Sequence, residues 1–264
     1  MSTTATTPER AATPSLPPGL GVSIIVPTFR EAENIPHLVE RLKAVAAAHH
    51  LDLELLLMDD QSTDGTPQVV ANLHESSWVR LIVRTGPRGL SAAVLDGLAA
   101  ARHPYLLVMD ADLSHPPEAI PEMLAALLQP GVDFVIGSRY ISGGATDASW
   151  GLFRWLNSKI ATLMARPFTN VRDPMSGFLG LPRRALEHAA PLNPVGYKIG
   201  LELIVKCHCR QIREVPIYFA DRVRGQSKLS LREQLRYVRH VLRLLAYKLF
   251  GLCPGQKTPV SQPK

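Results

Sequence analysis

The chain has 264 residues, 46% hydrophobic and 20% charged, with a formal net charge of +6. That length buries a sizeable core, most simply in one domain, and the composition excludes a disordered or fibrous chain. Three cysteines, Cys207, Cys209 and Cys253, are too few for a disulfide framework and supply only half a zinc site, so they read as small packing residues in a reducing compartment.

Residues 1–20, rich in Thr, Pro and Ala with no apolar segment, predict a disordered tail and not a signal peptide. The run VSIIVPT (22–28) predicts a strand, and residues 35–50 a helix with Asn34 at its N-cap. Next come a strand at 53–59, a helix at 67–73, a strand at 79–84, a helix at 91–102 and a strand at 105–110. A helix at 116–129 carries prolines in its first turn, and DFVIGSR (133–139) closes the series as a strand. Residues 230–252 predict a basic amphipathic helix and residues 253–264 a flexible tail.

Continuous apolar strands alternating with helices predict an α/β fold, a Rossmann-like, mostly parallel sheet with helices on both faces. Ligands of such sheets sit beyond the carboxyl ends of the strands. The polar clusters fall there: PTFRE after the first strand, DDQSTDG after the second, DADLSH after the fourth and SRY after the fifth. No GxGxxG follows the first strand and no GxxxxGK[ST] occurs, so the usual dinucleotide and P-loop readings lose most of their support.

Asp110 and Asp112 stand one residue apart at the end of the fourth strand, and their charges need compensation. Three roles compete on the residues alone. Asp112 or Ser114 caps the helix that follows; DADLS supplies the aspartyl nucleophile of a phosphatase; or the pair holds a divalent cation together with a nucleotide diphosphate.

PTFRE (27–31), DDQSTDGT (59–66), DADLSHPPE (110–118) and GSRY (137–140) resemble the motifs of family 2 glycosyltransferases of the GT-A fold. DPMSGF (173–178) and VPIYFADRVRGQSKL (215–229) narrow the resemblance to the dolichol-phosphate (polyprenol-phosphate) mannosyltransferase branch. The resemblance implies a GT-A domain over 21–229 that moves mannose from GDP-mannose to a polyprenyl phosphate, with inversion. It implies Pro27, Phe29, Glu31 and Asp60 around the base and ribose, Phe29 and Arg30 standing where the branch has Tyr and Asn. It also implies Asp110, Ala111 and Asp112 along the diphosphate-sugar, with Mg2+ or Mn2+ on Asp110, Asp112 and the Ser114 position. Arg139 and Arg154 would serve the acceptor phosphate, and Arg222 and Lys228 would clamp the diphosphate. Rival readings are another donor such as UDP-glucose, the phosphatase, and a non-catalytic nucleotide-sugar binder.

From Arg222 to Lys248 the cations Arg222, Arg224, Lys228, Arg232, Arg236, Arg239, Arg243 and Lys248 face only Glu233, which points to an anionic partner: phosphate, nucleic acid or a membrane surface. With a lipid acceptor implied, the expectation becomes a membrane surface, without nucleic acid. Two segments suit that surface. In one, Trp150, Leu152, Phe153, Leu156, Ile160, Leu163 and Met164 lie beside Arg154, Lys159 and Arg166; in the other, Leu231, Leu235, Val238, Leu242, Leu245 and Leu249 recur at helical spacing. The resulting expectation is a peripheral enzyme on the cytoplasmic face of a membrane, with a small membrane partner subunit as a possible companion.

Overall fold

The structure is a computed structural model that describes residues 15–73, 77–146, 152–196, 198–220 and 231–251, with backbone only for 152–157 and 231–233. In chain order its elements are β1 (Leu20–Thr28), α1 (Ile35–His49), β2 (Leu51–Asp59), α2 (Thr66–Asn72), β3 (Val79–Val83), α3 (Leu90–Ala100) and β4 (Tyr105–Val108). A 3-10 turn (Pro117–Ala119) leads into α4 (Ile120–Leu127), then β5 (Phe134–Ser138), β6 (Ala145–Thr146), α5 (Leu152–Ala165) and β7 (Leu179–Pro182). α6 (Arg184–Glu187), α7 (Ile199–Lys206), β8 (Ile212–Pro216), β9 (Tyr218–Phe219) and α8 (Leu231–Phe250) complete the series.

Seven strands form one sheet in the order β3-β2-β1-β4-β7-β5-β8. All pairs are parallel except those of β7, which runs antiparallel to both β4 and β5. The two-residue period of a strand explains the two covered faces. Val22, Ile24 and Val26 of β1 pack with Leu38 and Leu42 of α1 and Leu124 of α4. Ile25, between them, points the other way into a second cluster with Val94 and Leu98 of α3 and Leu203 and Ile204 of α7. A third cluster joins Ala165 of α5 and Leu201 of α7 to Tyr237, Val241 and Leu244 of α8.

β7 has no counterpart in the sequence reading. Its tetrapeptide LGLP lies between two longer strands because Gly180 lets it come close: a Cβ there would stand 2.2 Å from Leu107 Cδ2 and 3.0 Å from Val135 Cγ1. The helix expected at 116–129 is divided, since Pro121 has no N–H to give the carbonyl of Pro117 and the α-helix starts only at Ile120. Asn34 occupies the N-cap of α1 but does not cap it. Its side-chain amide donates to Glu31 Oε2 at 2.7 Å, while the N–H groups of Asn34 and Ile35 both bond the Glu31 carbonyl.

α8 docks on the core by Tyr237, His240, Val241 and Leu244, a different face from the leucine repeat seen in the sequence. Leu235, Val238, Leu242, Leu249 and Phe250 are exposed, as are Ile160 and Leu163 of α5. Met164, expected on the same stripe as Leu163, packs against the third cluster. Among the described residues no helix is long and apolar enough to cross a membrane. Cys207 is buried and Cys209 half-buried at the end of α7, and burial pushes the Cys207 thiol up to about 12; Cys253 lies outside the described residues.

Candidate active site

β2, β1 and β4 are neighbours and parallel, so the loops after them open at one sheet edge. β5 and β8 point the same way. β7 runs opposite, and therefore the segment that precedes it, DPMSG (173–177), arrives at the same edge. Three non-glycine residues in these loops have left-handed backbone: Arg30 (φ 62°) after β1, Gln61 (φ 59°) after β2 and Leu113 (φ 62°) after β4. Such conformations are costly and persist where surrounding bonds hold them, commonly at functional sites.

The bonds are visible around Asp59. Its carboxylate accepts from Ser62 N at 2.8 Å, Ser62 Oγ at 2.5 Å and Thr28 Oγ1, and Ser62 Oγ in turn accepts from Arg30 N at 2.8 Å. This network ties the first two loops together. Phe29 lies at the rim with the guanidinium carbons of Arg30 and Arg88 at 5.2 and 4.8 Å from its ring centre. Pro27 is half-buried at the last turn of β1, and Glu31 accepts from Asn34. The Asp60 carboxylate is committed within the protein: one oxygen pairs with Arg84 and the other accepts from Gly89 N at 2.8 Å. Arg84, whose Nε also bonds Asp96 Oδ2 at 2.7 Å, is held charged by these two carboxylates against the effect of burial.

After β4, Asp112 is buried and its Oδ1 accepts from Ser114 N at 3.2 Å and Ser114 Oγ at 2.5 Å. The helix that follows has Pro116 at its N-cap and no side-chain cap, so neither Asp112 nor Ser114 takes the capping role. Ala111 is buried between the carboxylates. Asp110 remains partly open to solvent, with Oδ2 at 3.7 Å from His115 Nδ1.

His115 was not singled out from the sequence, although it adjoins the DADLS motif. Its ring is buried, in tilted contact with Phe178 and edge-on to Phe219, each at 5.3 Å. Nδ1 accepts the Asp110 backbone N–H at 3.0 Å, which places the ring proton of the neutral imidazole on Nε2. Burial lowers its pKa, outweighing the pull of Asp110 and Asp112. His115 thus fixes the backbone on which Asp110 is mounted. Gly177 closes the far side: a Cβ there would lie 3.3 Å from the His115 ring and 3.7 Å from both Asp110 carboxylate oxygens.

Arg139, expected to serve the acceptor phosphate, forms a buried ion pair with Asp173. Nε and Nη2 donate to the two carboxylate oxygens at 2.7 and 2.8 Å, and the Arg139 backbone N–H adds a third bond at 3.0 Å. Burial alone would lower the Arg139 pKa, but the Asp173 carboxylate more than offsets it. The Arg139 guanidinium also lies 5.2 Å from the Phe219 ring centre.

Lys198, at the mouth of α7, is a cation that the sequence did not signal. Its Nζ donates to Met175 O at 3.0 Å, inside the loop that carries Asp173 and Gly177. Burial, and then the nearby Arg139 charge, bring its pKa down to about 8 despite Asp173 and Asp110. The structure therefore gathers Asp110, Asp112, Ser114 and Arg139 with His115, Asp173 and Lys198 at one edge, with Phe29, Glu31 and Asp60 alongside. The backbone of Arg154 lies in α5, and its side chain, like Arg222 and Lys228, lies outside the described residues.

Two carboxylates and a hydroxyl are hard oxygen donors, the chemistry that Mg2+ or Mn2+ prefers. Among the described residues no group of three His, Cys, Asp or Glu side chains forms a closed metal cage. The set fits an ion whose shell is completed by water and substrate phosphates.

The sequence profile of glycosyl transferase family 2 matches residues 23–189. A dolichol-phosphate mannosyltransferase of Mycosarcoma maydis is 41% identical over 240 residues, covering 88% of this chain and 81% of that protein. One of Saccharomyces cerevisiae is 42% identical over 238 residues, covering 87% and 88%. Among solved structures, mannosyl-3-phosphoglycerate synthase from Rubrobacter xylanophilus superposes with a TM-score of 0.65 at 21% identity, over 91% of this chain and 78% of that one. Glucosyl-3-phosphoglycerate synthase from Mycobacterium tuberculosis, solved with Mn2+, uridine diphosphate and phosphoglyceric acid, gives 0.63 at 20% identity over 87% and 78%. These likenesses show the fold. With the profile covering most of the folded chain and the mannosyltransferases as its relatives, the protein belongs to glycosyl transferase family 2 and is a glycosyltransferase.

Proposed function

We propose that the enzyme transfers a mannosyl group from GDP-mannose to a polyprenyl phosphate, in a single displacement that inverts the anomeric centre. The observation that carries this reading is the relationship at 41–42% identity to two dolichol-phosphate mannosyltransferases, over 87–88% of the chain. The convergence of Asp110, Asp112 and Arg139 on one sheet edge supports it.

The acceptor brings its own nucleophile. A phosphate monoester has its second pKa near ~6, so it is substantially ionised at neutral pH and needs no strong base. What the chain must supply is position and compensation of charge. Phe29 and Glu31 receive the nucleoside, with Pro27 and Asp60 shaping that end of the site. Asp110, Ala111 and Asp112 line the diphosphate-sugar, and Arg222 and Lys228 close over the diphosphate. Arg139 and Arg154 attract the acceptor phosphate, Asp173 holding the Arg139 fork in one orientation. Asp110, Asp112 and Ser114 hold Mg2+ or Mn2+, which when bound neutralises charge developing on the departing diphosphate. His115, neutral, keeps Asp110 in place without competing for the cation. Exposed Leu235, Leu242, Leu249 and Phe250 on α8, and Ile160 and Leu163 on α5, rest on the cytoplasmic face of the membrane that contains the lipid acceptor.

Thermal melting with GDP-mannose and with UDP-glucose, each with Mn2+ or Mg2+, tests the donor. A ligand at a hundred times its Kd adds about 2.7 kcal/mol of stability. Stabilisation by GDP-mannose and radiolabel transfer to a polyprenyl phosphate are expected. Stabilisation by UDP-glucose alone, or release of inorganic phosphate without transfer, would refute the reading.

A further inference from the structure

Beside the active site, a cavity of about 380 Å3 opens between α5 and the segments on either side of it, lined by Tyr140, Lys159, Thr162, Leu163, Arg166 and Arg172. Lys159, Thr162 and Leu163 of α5 and Arg166 just past its end are spaced i, i+3, i+4 and i+7, so one side of this segment supplies most of the described wall. Among the described residues the lining holds three cations and no carboxylate.

Two of the three cations have side-chain contacts among the described residues, Arg166 with backbone carbonyls and Lys159 with the Tyr140 ring. Arg166 Nη1 donates to Asn170 O at 2.8 Å and Val171 O at 3.1 Å. The Arg172 backbone N–H bonds Glu214 Oε2 at 2.8 Å, fixing the base of that side chain. Tyr140 bonds Ser158 Oγ at 2.9 Å, and Lys159 Nζ lies 5.0 Å from the Tyr140 ring centre. Neither Arg166 nor Arg172 enters an ion pair among the described residues. Like charges gathered around one cavity favour an anion with several acceptor oxygens, and guanidinium forks match phosphate.

What borders the cavity narrows the anion to an amphiphile. Leu163, which lines it, is 71% exposed, and Ile160 on the same helix is 50% exposed. α8 is fastened alongside by Tyr237 OH donating to Ala161 O at 2.9 Å, and it presents Leu242 and Leu249 to solvent. A phosphate pocket rimmed by exposed aliphatic side chains suits a headgroup whose chains continue into a bilayer.

We infer that this cavity, whose described lining does not include Arg139, binds the phosphate of an anionic membrane phospholipid. The inference rests on the membrane reading above and adds to it a dependence on lipid charge. Flotation of the full chain with phosphatidylcholine vesicles, with and without phosphatidylglycerol, tests both. The protein is expected to bind both kinds, and more tightly when phosphatidylglycerol is present. Lys159→Gln and Arg172→Gln are each expected to weaken that extra binding about fivefold, and together about twentyfold, while binding to phosphatidylcholine is unchanged. A control pair with equal charge loss on exposed residues elsewhere, Lys43→Gln with Arg210→Gln, is expected to change it little. Equal loss in the control pair would overturn the pocket and leave only net charge. Equal binding of the wild type to both vesicles would also overturn the pocket, with the membrane reading intact, whereas no binding to either would sink the membrane reading itself. Glycerol phosphate that raises the melting temperature in a Lys159-dependent way, with vesicle binding indifferent to charge, would assign the cavity to a soluble phosphate instead.

Discussion

Replacing Asp173 by Asn tests the pair that orients Arg139. The carboxylate is fully buried and its guanidinium partner 9% exposed, so water screens neither charge well. Asp173 accepts three bonds from Arg139, two from the guanidinium and one from the backbone. Asparagine keeps the volume but offers one acceptor oxygen and turns an amide donor toward a cation. Removing one partner of a buried ion pair costs about 3–5 kcal/mol, because the other charge is left in the interior. Asp173→Asn should therefore lower the stability of the ligand-free enzyme by about 3 kcal/mol in urea denaturation. Arg139→Met should cost a similar amount, and the double variant clearly less than the sum, with a coupling of about 2 kcal/mol. If Asp173→Asn stays within about 0.5 kcal/mol of wild type, or the two changes add, the pair does not contribute the stability assigned to it.

His115→Phe keeps the aromatic contacts but leaves the Asp110 N–H without its acceptor; a stability loss of about 1–3 kcal/mol and lower transfer activity are expected, and calorimetry with a transfer assay checks both. Lys198 binds its proton less firmly when folded than when unfolded, so between about pH 8 and its unfolded value of 10.5 the unfolded chain holds more protons and stability rises with pH. Urea midpoints at pH 7.5 and 9.5 should show that rise, reduced in Lys198→Met. Gly180→Ala should cost about 1–3 kcal/mol, since even one methyl group would meet Leu107 and Val135, and Gly180→Val should not yield soluble folded protein. Asp112→Asn retains an oxygen for Ser114, so its circular dichroism and melting in the absence of ligand should match wild type while metal-dependent transfer is lost; unchanged turnover would remove the cation from Asp112.

The central part of the fold could be read directly because its signals are local. Apolar runs such as LELLLMD and YLLVMD are buried on both sides, and turn residues bound them, so element type and order from β1 to β5 follow from the chain itself. The four polar clusters could be placed at one edge by the same logic, since parallel strands present their carboxyl ends together. β7 had no such signal. Four residues with a central glycine make a poor strand by propensity, and only contact with β4 and β5 makes them one. Its reversed direction is what delivers Asp173 and Gly177 to Arg139 and Asp110. Lys198 and Asp173 are 25 residues apart in the chain, and no spacing rule links them. α8 shows a further limit: periodicity identified its leucine stripe, but the interior took the face bearing Tyr237, His240, Val241 and Leu244.

By itself the sequence determined the strand and helix alternation, the acidic pair at the end of β4 and the family resemblance, because each depends on neighbours along the chain. Tertiary structure alone decided that Arg139 is paired with Asp173 and that Asp60 is paired with Arg84. It also decided that His115 holds the backbone of Asp110. Each of these is a choice of partner among charges and polar groups distant in sequence, and burial makes that choice by penalising every group left without one.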